Sequence, residues 1–357
     1  MKVELVFVIF ALIGGMDKIL GNRLKLGSAF EKGIMTSGAL IISMSGMIVL
    51  SPIMAGMFSV LLGPFFEKLS IDPSAVAAFF PVDAGGASIA YELSRNAQIR
   101  AYNGVIVASM FGATLCPVIP MSLQMVNQKY HDDVLLGLLC GFATIPIGCI
   151  VAGFMMGCQV KELLLNTLFI IGISVIICVG LWKYPRVSQQ IFGIFGMLLM
   201  VFVTIGLCIG IVDQLLGIQL IPGIEHVSES FTIIGNIAII LAGVFPLLEI
   251  VSKVFHKPLM WVGKAMKLDE SSILGLVTTL ANSVPVFSMM ENMTKKGRIL
   301  NMAFSVSAGY IIGDHLAFVL SFDRSYALPM VVGKFVSGAL ALVLASVIYR
   351  RSFFEQE

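Results

Sequence analysis

The sequence predicts an all-α, polytopic integral membrane protein, and three observations carry that reading. Of 357 residues, 58% are hydrophobic and 12% charged, with a mean hydropathy of +0.97. Apolar segments of spanning length follow one another from end to end. The short alternating segments of a transmembrane barrel are absent. A formal net charge of +2 gives no ground for a nucleic-acid partner, so membrane lipid is the expected surrounding. The cysteines Cys116, Cys140, Cys149, Cys158, Cys178 and Cys208 fall within or at the ends of apolar segments without metal-ligand spacing. Neither a metal site nor a cofactor is therefore expected.

The segments run in order as follows. Met1-Lys2 precedes an apolar run as in a signal peptide, but no small-x-small cleavage site follows, so 3–16 reads as the first span. Segments 34–50 and 53–66 are separated only by Ser51-Pro52 and form either two spans or one bent helix. Then come 75–93, 102–127 with a kink expected at Cys116-Pro117 and Pro120, 134–157, 163–182, 189–216, 231–254, 271–293, 299–321 and 328–349. The total is about 11 or 12 segments in a single transmembrane transporter domain covering 1–357. If all cross, a modest excess of Lys and Arg favours a cytoplasmic location for the loops 17–32 and 253–267. Re-entrant segments would change that balance.

Two segments are discontinuous. Phe80-Pro81-Val82-Asp83-Ala84-Gly85-Gly86-Ala87-Ser88 places a helix breaker, a carboxylate and a glycine pair inside an apolar run, and Ala281-Asn282-Ser283-Val284-Pro285 interrupts another. Their surroundings match in spacing. Asp83 precedes Glu92, and Asn282 precedes Glu291, by the same interval; a basic loop follows each, then Asn103 or Asn301, then Ser109 or Ser307. The regions 75–127 and 271–321 are accordingly expected to be repeats whose broken helices meet near the bilayer midplane, with their polarity, parallel or inverted, open. A break frees backbone carbonyls and amides, which is tolerable in a membrane only where protein, water or ligand satisfies them. Gly85 and Gly86 allow close approach of backbone or ligand, and a carboxylate beside free carbonyls suits a cation.

A charge at the centre of a spanning helix costs roughly 2.5–3.5 kcal/mol on insertion scales, so each needs a partner or a task. Asp83 and Asp314 are the candidates for a cationic ligand. Asn282, Ser283, Ser88, Asn103 and Asn301 are candidate partners for a substrate hydroxyl, with Pro285 at the second break. His315, Lys334 and Glu249, which follows Pro246, are candidates for a charge or proton relay. The competing reading is a structural Asp314–Lys334 pair. The chain lacks the H-E-x-x-H, G-x-G-D and G-x-S-G signatures of intramembrane hydrolases, so no enzymatic activity is expected. The residues leave open a carrier for a small amine or cation and a channel-like pore for amines.

Pro81-Val82-Asp83-Ala84-Gly85-Gly86, Asn282-Ser283-Val284-Pro285-Val286-Phe287, and Gly297-Arg298 leading through Asn301, Ala303-Phe304 and Val306 to Gly313-Asp314-His315 together resemble the ethanolamine-utilisation permease (EutH) family over essentially the whole chain. The resemblance implies a multi-pass protein of the bacterial cytoplasmic membrane that imports ethanolamine, supplying cytoplasmic enzymes that degrade it. It implies no cofactor in this chain. A homo-oligomer is compatible with the sequence.

Overall fold

The structure, a computed structural model, describes residues 3–265 and 267–354, and these are helical throughout with no strand among them. Helix α1 (Val3–Ile19) ends where Asp17 turns back to accept hydrogen bonds from the amides of Leu24, Leu26 and Gly27 at 2.9–3.0 Å. That clasp starts α2 (Leu26–Leu69). The expected segments 34–50 and 53–66 are thus one helix. Pro52 has no N–H for the carbonyl of Ile48, but the Ser51 hydroxyl donates to that carbonyl at 2.9 Å, so the ladder survives the proline.

The chain then folds back rather than crossing. A 3-10 turn (Pro73–Phe79) descends, an irregular tip follows, and α3 (Ala87–Leu93) returns. Next, α4 (Ala97–Ala101) continues through π-type helix (Tyr102–Gly112, Thr114–Val118) into α5 (Ile119–Met125), giving one buried span. Pro117 lies in the second π-type stretch, where a wider helical register accommodates its missing donor. Helices α6 (His131–Met155), α7 (Val160–Lys183), α8 (Pro185–Leu216) and α9 (Val227–Ala265) follow. A second fold-back comprises α10 (Glu270–Ala281) and α11 (Val284–Met289). The span after it is broken into α12 (Lys295–Ala308) and α13 (Asp314–Phe322), and a further span, α14 (Ala327–Phe354), closes the described chain. Among the described residues, seven helical stretches are long and apolar enough to cross a membrane. The expected segments 75–93 and 271–293 are hairpins.

Glycines set the closest contacts of the frame. On α2, a side chain at Gly46 would meet the carbonyl of Val203 on α8; on α9, one at Gly243 would meet the carbonyl of Phe7 on α1. The pairings α2 with α8 and α9 with α1 are therefore alike in kind. Helices α6 and α14 cross at Gly148 and Gly333. The outward faces of α7 and α8 expose Leu, Ile, Val and Met, as lipid-facing helices do.

Candidate functional site

Each hairpin is clasped at its base by an aspartate. Asp72 accepts from the Ser74 amide (2.9 Å) and from the hydroxyls of Ser74 (2.5 Å) and Ser94 (2.8 Å), joining the entering and leaving arms. Asp269 accepts from the Ser272 amide and hydroxyl (2.9 and 2.6 Å) and from the Thr294 amide and hydroxyl (3.0 and 2.7 Å). Partial burial pushes the Asp269 carboxyl upward, but the hydrogen bonds from Ser272 and Thr294 outweigh it and hold the pKa at about 2. The following span anchors each hairpin through a buried asparagine. Asn103 Nδ2 donates to the Ser74 hydroxyl at 2.9 Å, and Asn301 Nδ2 to the Ser272 carbonyl at 2.9 Å.

The bases lie at opposite ends of these spans. Arg298, beside the second base, stacks 3.8 Å over Tyr130 and bonds Asp133 at 2.8 Å, just past the C-terminal end of α5. Arg100, beside the first base, stacks 4.2 Å over Tyr91, which packs edge-on against Phe322 at the C-terminal end of α13.

The tip of the first hairpin is extended at Phe80-Pro81, and the Pro81 carbonyl accepts from the amides of Ala84 and Gly86. Gly85 has φ +110°, a conformation that only glycine adopts without strain. Behind the tip, Gly112 lets the span approach the Phe80 carbonyl, where any side chain would collide. Asp83, half-buried, faces its own amide and that of Ala84, and is close enough to Asp314 and Lys334 to interact with both charges.

Asp314 opens α13 after the break at 309–313. Lys334 reaches in from α14, fully buried, and donates to the Ser109 carbonyl at 2.6 Å and to His315 Nδ1 at 3.1 Å. A lysine ammonium only donates, so His315 accepts at Nδ1 and carries its proton at Nε2. The expected structural alternative, an Asp314–Lys334 ion pair, is not formed among the described residues: the lysine bonds to the histidine and to a carbonyl of the π-type span. Tyr310, in the left-handed region with φ +63°, stacks on His315 with ring centroids 4.9 Å apart and lies beside both aspartates. Its amide bonds to the Thr279 carbonyl of α10, and the Ile312 amide bonds to that of Leu280. The 309–313 segment therefore ties the second hairpin to the acidic cluster.

The second tip is neutral. Asn282 Oδ1 accepts from the Val284 amide at 2.8 Å, closing the turn into α11, while its Nδ2 has no partner among the described residues. The Ser283 hydroxyl is buried and likewise unpartnered. Pro285 is exposed in the first turn of α11, and Ser88 is half-buried on α3. Asn103 and Asn301 are not brought to the tips, since each serves a hairpin base. Glu249 is not brought to the cluster either: α9 continues past Pro246, and Glu249 pairs with Lys253 one turn on at 3.0 Å, partly exposed. The two aspartate clasps escaped the sequence reading. Their signal is Asp-Pro-Ser and Asp-Glu-Ser-Ser at the start of apolar runs, the pattern of a helix N-cap.

Two fold-back hairpins whose tips converge on a partly buried acidic cluster inside a bundle of spanning helices are the architecture of a membrane transport protein. The model of the EutH family, ethanolamine utilisation protein, matches residues 2–348, and the chain belongs to that family. It is 39% identical to a probable ethanolamine permease of Listeria monocytogenes, over 96% of this chain and 92% of the relative. Identity is 34% to a probable ethanolamine permease of Escherichia coli, over 95% and 90%. A protein of Bacillus subtilis described as uncharacterized is 35% identical over 96% and 93%. No solved structure matches the chain. It is a multi-pass protein of the bacterial cytoplasmic membrane.

Proposed function

We propose that the chain carries ethanolamine, as its ammonium form, by alternating access. The observation that carries this reading is the packing of the first tip, which carries Asp83, against the start of α13, which carries Asp314, with Lys334 and its partner His315 alongside: two acidic groups and one amino group leave room for a second cation. Asp83 and Asp314 hold the ammonium, the Tyr310 ring covers it, and the free Nδ2 of Asn282 donates to the hydroxyl two carbons away. Gly85 and Gly86 keep the tip narrow enough for the substrate to touch backbone. Ser88 lies within the same hairpin and Pro285 rigidifies the opposite tip. His315 and Lys334 adjust the charge of the cluster as substrate enters and leaves.

We further propose that the two halves are inverted repeats. The span 97–125, α6, α7, α8 and α9 lie between the hairpins; with five crossings between them, hairpins that each fold back open to opposite sides. The matched clasps of Asp72 and Asp269, the matched anchors Asn103 and Asn301, and the matched contacts of Gly46 and Gly243 support this. In this topology, among the described residues, Lys18, Arg23, Lys25, Lys32, Lys129, Lys183, Arg186, Lys253, Lys267, Lys295, Lys296, Arg298 and Arg350 share one side, against Lys68, Arg95, Arg100, Lys161 and Arg324 on the other. The positive-inside rule puts the base of the second hairpin in the cytoplasm. Imported ethanolamine is then delivered to the enzymes that degrade it.

Equilibrium binding of radiolabelled ethanolamine to the purified protein tests the assignment. The wild type binds saturably, and Asp83→Asn, with an unchanged size-exclusion profile, does not. Equal binding by the variant removes Asp83 from the site.

A further inference from the structure

The second hairpin and the broken span behind it meet at a spot that the acidic cluster does not occupy. Helices α10 and α12 both end there, at Ala281 and Ala308, and the Tyr310–Thr279 backbone bond holds the two ends together. Because the Ile312 amide bonds to Leu280, the Ala308 carbonyl of α12 loses its usual donor. The Val306 carbonyl is compensated by the Thr114 hydroxyl at 2.9 Å. Three buried hydroxyls surround the junction. Thr279 Oγ1 and Ser305 Oγ are 3.2 Å apart, and Ser283 Oγ has no partner. A methyl group at Gly309 would lie 2.5 Å from Ser283 Oγ and 2.7 Å from the Ser305 carbonyl, so both oxygens flank that glycine.

We propose that this junction binds a monovalent cation, with sodium the fitting ion. Two helix C-termini direct the negative ends of their dipoles at it, and unwound carbonyls and hydroxyls are the ligands that discontinuous membrane helices offer to sodium. Divalent ions want carboxylates. None of the oxygens at this junction is a carboxylate, and no cluster of His, Cys, Asp and Glu suited to a metal occurs among the described residues. The ion joins the tip of the second hairpin to the end of α12. It thereby fixes the 309–313 segment, which carries Tyr310 and leads into Asp314. Resting on the carrier reading above, the consequence is sodium-coupled ethanolamine import, in which ion occupancy shapes the amine site.

The test is binding of radioactive sodium to the purified full-length protein without ethanolamine, followed by ethanolamine uptake into proteoliposomes with and without an inward sodium gradient. Wild type is expected to bind sodium saturably, displaced by unlabelled sodium but not by N-methylglucamine. Binding falls about tenfold in both Ser283→Ala and Thr279→Val, each removing one oxygen ligand; Ser305→Ala replaces either variant if it fails to fold. The gradient accelerates wild-type uptake. Absence of sodium binding by folded wild type, or unchanged binding in the variants, overturns the site. Uptake indifferent to the gradient despite sodium binding overturns the coupling. Intact sodium binding with no ethanolamine uptake under any condition counts against the substrate, while the ion site stands.

Discussion

The two hairpins share a frame and differ at their tips. Both are clasped by an aspartate at the base and anchored by an asparagine of the following span, yet the first tip carries Asp83 and the second Asn282. The spans differ too. Behind the first tip the chain runs on as π-type helix, whereas behind the second it breaks at 309–313 and restarts with Asp314-His315. Lys334, on the helix after that break, completes the charged side. A similar set of hydrogen bonds holds each arm, while differences at the tips and in the spans behind them make the first a charge site and leave the second neutral.

Exchanging the tips tests this division most severely. Asp83→Asn makes the first tip resemble the second, and uptake at low ethanolamine concentration is expected to fall by ~100-fold or more, the scale for removing one partner of a buried charge interaction. Immunoblotting of membrane fractions should show unchanged expression. Lys334→Met removes the resident cation from the same side. The Ser109 carbonyl then loses its donor, and the substrate ammonium becomes the only positive group among two carboxylates. Maximal rate is expected to drop about tenfold without a rise in KM, because release rather than binding is impaired. A KM that rises in parallel would show that Lys334 helps to bind substrate.

Much of this charged side was legible in the sequence. Asp83, Asp314 and Lys334 stand out against an apolar background, and the equal spacings from Asp83 to Glu92 and from Asn282 to Glu291 pointed to a repeat before any geometry was known. The fold-back was not legible, because it depends on a side-chain bond between Asp72 and Ser94, at opposite ends of an apolar segment that is itself of spanning length. Nor was the partner of Lys334. A backbone carbonyl on another span leaves no mark in a residue string, whereas an aspartate such as Asp314 does. Glu249 misled for the opposite reason. Pro246 looked like a helix end, yet α9 continues through it and leaves the glutamate at a partly exposed ion pair.

The neutral tip gives smaller effects. Asn282→Ala removes the proposed donor to the substrate hydroxyl together with the turn bond to the Val284 amide, and KM for ethanolamine is expected to rise about tenfold while expression persists. Propylamine, which lacks the hydroxyl, should discriminate poorly between wild type and variant. Strong discrimination would place the hydroxyl partner elsewhere.

The smallest effect belongs to the frame. The pKa of Asp269 is depressed, so its clasp stabilises the fold fully above the ordinary carboxylate value of 3.8 and loses that contribution as pH falls through about 2. Asp269→Asn is expected to lower the stability of the detergent-solubilised protein by about 1 kcal/mol at neutral pH, as loss of an N-cap does. Thermal melts should show the gap between wild type and variant closing as pH approaches 2. A gap that widens on acidification would reverse the sign assigned to this carboxylate.

Counterflow bears most directly on the central claim, that the acidic first tip is the ammonium site of a carrier. Proteoliposomes preloaded with unlabelled ethanolamine are offered labelled ethanolamine outside, using wild type and Asp83→Asn, with choline preload as control. Transient accumulation by wild type only with ethanolamine inside, abolished in Asp83→Asn, is the predicted result. Passive equilibration without overshoot in wild type, or an undiminished overshoot in the variant, would contradict it.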